Sequence, residues 1–160
     1  MSFLFRPLDE NSATTILAWK YAPPYDIYNL ISPEPADTLH YLLDPQNAFY
    51  GMYDQQDRLE AFCSFGPDGQ VFGGDYTTPA LDIGLGVRPD LTGQGHGPDY
   101  VNAVIDFANS TYAPERLRVT IAAFNNRALR VWEKAGFQRM QKFRGGWENT
   151  DFVILMKDKR

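Results

Sequence analysis

Apolar positions recur along this chain in two rhythms: a spacing of three to four that marks helices, and short runs or alternations that mark strands. Residues 3–7 form an apolar run that reads as a first strand. Ala13, Ile16, Leu17 and Lys20 then share one face of a helix that Asp9 or Ser12 can cap and that Pro23 and Pro24 end. Pro35 suits a first turn, which predicts a second helix over Glu34 to Leu43. Phe49 to Tyr53 and Leu59 to Phe65 are aromatic-rich, β-prone runs joined by Asp54-Gln55-Gln56-Asp57, an antiparallel hairpin. Residues 66–74 hold four glycines and a proline and read as loop.

Leu81 to Val87 is the next strand. Val101, Val104, Ile105 and Ala108 give the helix rhythm over Tyr100 to Tyr112, and Leu117 to Ala122 returns to strand. Asn125 or Asn126 caps a further helix whose Ala128, Val131, Trp132 and Ala135 line one face, with Gly136 at the left-handed position past its end. Phe137 to Phe143 and Phe152 to Lys157 form a closing hairpin with a long connection. The order is β-α-α-β-β-β-α-β-α-β-β, an α/β (α+β) pattern, with no repeat or linker to divide it, so residues 1–160 read as a single domain.

Composition narrows the partners. Fifteen basic against twenty acidic side chains leave a formal charge of −5, which gives no general attraction to nucleic acid or anionic lipid. Any phosphate binding must therefore be local. Cys63 is the only cysteine, and His40 and His96 add too little imidazole to build a metal site, so no metal and a reducing, cytoplasmic setting are expected. No basic segment leads a 7–15-residue apolar stretch, and no run of about 20 apolar residues occurs, which predicts no membrane partner.

The chemistry concentrates where the strand Asp82-Ile-Gly-Leu-Gly-Val-Arg runs into Pro-Asp-Leu-Thr-Gly-Gln-Gly-His-Gly97 and then a helix. Alternating Gly93, Gly95 and Gly97 let successive amides point into one concavity, and the dipole of the following helix adds attraction for an anion. A pyrophosphate fits such a device. The nucleoside-triphosphatase loop is excluded because no lysine lies between Lys20 and Lys134. A dinucleotide fingerprint would set its last glycine at Pro98 or Tyr100, and fits poorly.

Two motifs carry a resemblance. Val87-Arg-Pro-Asp-Leu-Thr-Gly-Gln-Gly-His-Gly97 and Asn125-Asn-Arg-Ala-Leu-Arg-Val-Trp-Glu-Lys-Ala-Gly-Phe137 together resemble the GNAT superfamily of acyl-CoA-dependent N-acyltransferases, and the element order resembles its fold over nearly the whole chain. The resemblance implies a mixed, mostly antiparallel central sheet in which two neighbouring parallel strands, ending near Val87 and Ala122, splay into a V. Acetyl-CoA is the implied cosubstrate. Its amide-containing arm would pair with backbone at Leu85 and Val87 like an added strand, its pyrophosphate would rest on Thr92, Gly93, Gln94, Gly95, His96 and Gly97, and Asn125 would face it across the cleft. Arg127, at the start of the same helix, can meet the 3′-phosphate.

The resemblance also exposes departures. Thr92 stands where the family usually has Arg or Gln, and Pro98 removes an N–H donor. Trp132 occupies the position, on the cofactor side, where many members carry a tyrosine that protonates the departing thiolate, and an indole N–H is no acid near neutral pH. A thiolate whose conjugate acid has a pKa of about 8.5 can leave without full protonation. Asp82 is the candidate base, sharing its strand face with Gly84 and Gly86, though a strand-start aspartate serves equally as a turn cap. Tyr21, Tyr25, Asp26 and Tyr28 fall in the segment resembling the acceptor side, where Tyr25, Asp26 and Tyr28 can receive a cationic amine. The expected activity is direct transfer of acetyl from acetyl-CoA to a primary amine of a small molecule or peptide, with a homodimer open as the assembly. The alternative, motivated by Trp132, is an acyl-CoA-binding or sensing module that has lost catalysis.

Overall fold

The computed structural model describes residues 2–30, 34–147 and 149–159. Its elements run β1 (Leu4–Pro7), α1 (Glu10–Leu17), α2 (Pro35–Leu43), β2 (Phe49–Tyr53), β3 (Leu59–Phe65), β4 (Leu81–Val87), α3 (Gly97–Tyr112), β5 (Arg116–Ala122), α4 (Asn126–Lys134), β6 (Gln138–Gly145) and β7 (Thr150–Asp158). This is the order read from the apolar rhythm. The strands form one seven-stranded sheet, β1-β2-β3-β4-β5-β7-β6, in which β4 and β5 alone run parallel.

Local signals set most boundaries. Asp9 accepts the Ser12 amide and caps α1, and Asn125 accepts the Ala128 amide and caps α4, each cap contributing roughly 1 kcal/mol. Pro35 sits in the first turn of α2. The ends differ from expectation in three places. Helix α1 stops at Leu17, well before the prolines, because Ala18 and Trp19 turn back onto the Thr15 and Ile16 carbonyls. Helix α3 begins at Gly97, since Pro98 is admitted in its first turn. The closing hairpin is tight: Gly145 pairs with Thr150, and Gly146 and Asn149 adopt positive φ to turn the chain.

Alternation along the strands splits the interior. Ala61, Cys63, Ile83, Leu117, Val119, Ile121, Val153 and Leu155 pack under α3 and α4, around Tyr100, Val104, Leu129 and Trp132. On the opposite face, α1 and α2 cover β2 and β3 through Ala13, Ile16, Trp19, Leu42 and Phe49. Beyond β5 that same face is covered by Val71 and Tyr76, from the stretch between β3 and β4, and by Ile27 and Phe124. Helix α4 buries Leu129 and Trp132 most deeply, with Ala128, Val131 and Ala135 half-buried beside them. No described helix is long and apolar enough to cross a membrane.

Candidate active site

Strands β4 and β5 pair only at Leu81–Leu117 and Asp82–Arg118. Past that point they diverge, so Ile83 to Val87 have β3 on one side and no strand on the other. The direction of the backbone groups follows from alternation. Asp82 accepts from Gly66 and Arg88 donates to Glu60, so even-numbered residues of β4 address the β3 side. Ile83, Leu85 and Val87 therefore turn their N–H and C=O groups into the gap. An extended segment carrying amides could pair with that edge as an added strand.

At the mouth of the gap the chain makes a turn at Pro89–Leu91 and enters the glycine segment. Gly93 and Gly95 adopt φ of +71° and +83°, a region that side chains with Cβ rarely occupy. The amides of residues 93–97 donate to nothing within the described residues, and they run directly into the sixteen-residue helix α3. Five successive free donors at a helix N-terminus make a cradle for an anion. Thr92 and Gln94 spend their side chains inside the bend, donating to the carbonyls of Pro89 and Asp90, and so leave the cradle to the backbone. Thr92 thus braces the turn where a longer side chain was expected to do so. Around Gly95 an added Cβ would meet nothing within 4 Å, so the concavity is open. His96 is the N-cap, and its ring lies 3.8 Å from Asp99 at the surface.

Arg127, from the first turn of α4, lies over the Tyr25 ring at 4.5 Å and close enough to Gly93 that a Cβ there would be 2.6 Å from Nη1. No carboxylate pairs with it among the described residues. A free guanidinium beside five free amides completes a strongly anion-attracting corner in a chain whose overall charge is negative.

Residues 21–28 cross the opening and touch both walls. The Tyr21 hydroxyl donates to the Val87 carbonyl at 2.7 Å, and the Asn125 side-chain amide donates to the Tyr28 hydroxyl at 3.2 Å. Burial pushes the Tyr21 phenol up to about 12 and raises Tyr28 as well, so both stay protonated at neutral pH. Asn125 therefore faces the gap from the β5 side while its oxygen caps α4. Tyr25 packs on Phe124 and beneath Arg127, on the α4 side, and Asp26 stands exposed.

The packing bears on two of the expected roles. Asp82 is 4% exposed, and both its oxygens accept from Arg118 at 2.6 and 2.8 Å, with Gln70 adding a bond at 2.9 Å. A base must reach the amine or a water on it. Asp82 is instead locked at the closed fork, and its hydrogen bonds push the Arg118 guanidinium further up. Nor do the glycines beside it leave equal room: Phe62 leans over Gly86, and Ser64 abuts Gly84. Trp132 is 5% exposed and packs edge-on to Phe137 at 5.0 Å, as core, supplying an apolar wall and no acid. Arg118 was legible only indirectly, as a charged residue at an inward position of Arg-Leu-Arg-Val-Thr-Ile-Ala that demanded a buried carboxylate.

A family model described as acetyltransferase (GNAT) domain matches residues 3–138. A search of curated proteins finds no match. Among solved structures, a spermidine N-acetyltransferase chimera from Vibrio cholerae and hSSAT superposes with a TM-score of 0.76 at 15% identity, covering 99% of this chain and 96% of that one. A GNAT-family acetyltransferase from Bacillus anthracis gives 0.73 at 15% identity, with coverages of 99% and 95%. A dodecameric spermidine N-acetyltransferase from Vibrio cholerae gives 0.69 at 14% identity, over 99% and 94%. At such identities the likeness is one of fold, seen here over almost the full length of both partners. The family match spans most of the sequence: this chain belongs to the GNAT acetyltransferases.

Proposed function

We propose that this chain transfers an acetyl group from acetyl-CoA directly to a primary amine of a small molecule or peptide. The observation that carries the reading is the run of five unpartnered amides, residues 93–97, lying beside the unpaired edge Ile83–Val87. The residues suit the cosubstrate: amides 93–97 and Arg127 would hold its phosphates, Leu85 and Val87 its arm, and Asn125 would bound it on the far side. Acetyl-CoA supplies an activated carbonyl carbon that a neutral amine can attack.

The chain's own contribution is positioning and exclusion. Helices α1 and α2 and residues 21–28 form the wall on the other face of β4, the side from which an acceptor would approach. That wall carries aromatic side chains, Trp19, Tyr21, Tyr28 and Phe62, around a space of only about 10 Å³, roughly one water's worth. Trp132 offers no proton to sulfur, which favours departure as thiolate. It also favours the second reading, a module that binds acyl-CoA without turning it over. Titrating acetyl-CoA into the protein by calorimetry and following thiol release with spermidine, lysine and an aminoglycoside separates the two. Binding with thiol release supports transfer, and binding without release supports the module. Mass in solution tests the proposed homodimer.

A further inference from the structure

Three positions of β4 lie in turn on the sheet face that carries α1 and α2: Asp82, Gly84 and Gly86. The first is taken by Arg118 and the last lies under Phe62, but the middle one is met by two oxygens. A Cβ at Gly84 would stand 2.6 Å from Ser64 Oγ and 3.6 Å from Asp68 Oδ2. Gly84 belongs to the stretch that has no β5 neighbour.

Each oxygen has an unmet need. Ser64 is 1% exposed, and its hydroxyl is the one sealed side-chain polar atom without a hydrogen bond among the described residues. Such an orphan is costly unless something outside the chain satisfies it. Asp68 is fixed by Tyr41, whose hydroxyl donates to Oδ1 at 2.8 Å, while Oδ2 has no partner among the described residues. The residue's outer edge meets solvent, yet surrounding protein crowds its carboxyl: desolvation raises its pKa, and the Tyr41 bond pulls the other way.

We propose that Asp68 is the carboxylate that receives the acceptor amine, with Ser64 beneath it and Gly84 leaving room for the Ser64 hydroxyl. This rests on the acetyl-transfer reading above. A primary amine has two N–H groups and a lone pair. One N–H goes to Asp68 Oδ2, and the other goes to Ser64 Oγ once the Asp68 side chain turns to take the amine. The lone pair then forms the C–N bond to the thioester carbon. The C–S bond breaks with its electrons on sulfur, the nitrogen passes one proton to Asp68, and the solvent-facing carboxylate returns it through water to the thiolate. A secondary amine lacks the second N–H and leaves Ser64 unmet.

Asp68→Asn tests this. Acetyl-CoA should bind the variant with a Kd within twofold of wild type by calorimetry. The kcat/KM for the best of spermidine, lysine and an aminoglycoside should fall about 100-fold or more, the usual scale for loss of a general base. A fall of under tenfold overturns the role of Asp68 and leaves acetyl transfer standing. Should wild-type protein bind no acetyl-CoA, or release no thiol with any of the three, the transfer reading and this one fall together. If Asp68→Asn loses acetyl-CoA binding, Tyr41→Phe on the outer face of α2 replaces it: a several-fold drop in kcat/KM supports the assignment, and an unchanged value overturns it.

Discussion

The two ends of the β4–β5 pair are opposites. At the closed end, a buried carboxylate and a buried guanidinium satisfy each other, with Gln70 and the Thr78 carbonyl taking remaining bonds and the Tyr76 ring lying against the guanidinium. At the open end the backbone of Leu85 and the amides of residues 93–97 have no partner among the described residues, and the Val87 carbonyl has only the Tyr21 hydroxyl. Paired charges sit where the protein is sealed, and glycines with the unpaired Arg127 guanidinium sit where it is open. The contrast assigns stability to the first end and ligand chemistry to the second, because a satisfied polar group has nothing left to offer a ligand.

Breaking the closed end should give the largest effect. Arg118→Ala strands the Asp82 carboxylate in the interior, and the expected loss is about 3–5 kcal/mol in unfolding free energy, read from urea denaturation. If the two ends are as separate as described, the folded variant keeps acetyl-CoA affinity within a few-fold. Gly95→Glu attacks the open end alone: a carboxylate enters the anion cradle, and acetyl-CoA Kd should rise about 100-fold, equivalent to ~2.7 kcal/mol. Its φ of +83° adds a strain of roughly 1–2 kcal/mol to folding, visible as a lower Tm. Equal affinity for wild type and variant would remove the glycine segment from the cofactor site. Arg127→Ala is the mildest. Losing one charge-assisted contact should weaken acetyl-CoA about tenfold at low salt, with only a small drop in Tm from the lost stacking on Tyr25, since the guanidinium pairs with no carboxylate among the described residues.

The order of elements was legible because apolar spacing reports which face of a helix or strand is buried, and here no element contradicts that rule. Glycine spacing likewise announced the positive-φ bend at Gly93 and Gly95, since residue identity controls that backbone geometry. Side-chain roles were less legible. Asp82 read as a free carboxylate because nothing nearby in sequence shows that Arg118, thirty-six residues on, lies in register with it. Asp68 hid in a glycine-rich loop for the same reason, its neighbours Tyr41, Ser64 and Gly84 arriving from three separate elements.

Residues 21–28 join the two walls of the gap. They hold the Val87 carbonyl at one wall and Asn125 at the other, while only two residue pairs of β4 and β5 otherwise join the half-sheets directly. A compound that leans on this eight-residue strap from the α1–α2 side alters the spacing that a thioester on the far side must fit. By reciprocity the thioester alters the compound's affinity by an equal factor. Donor and acceptor would then report on one another's presence through two phenolic hydroxyls before amine and thioester meet.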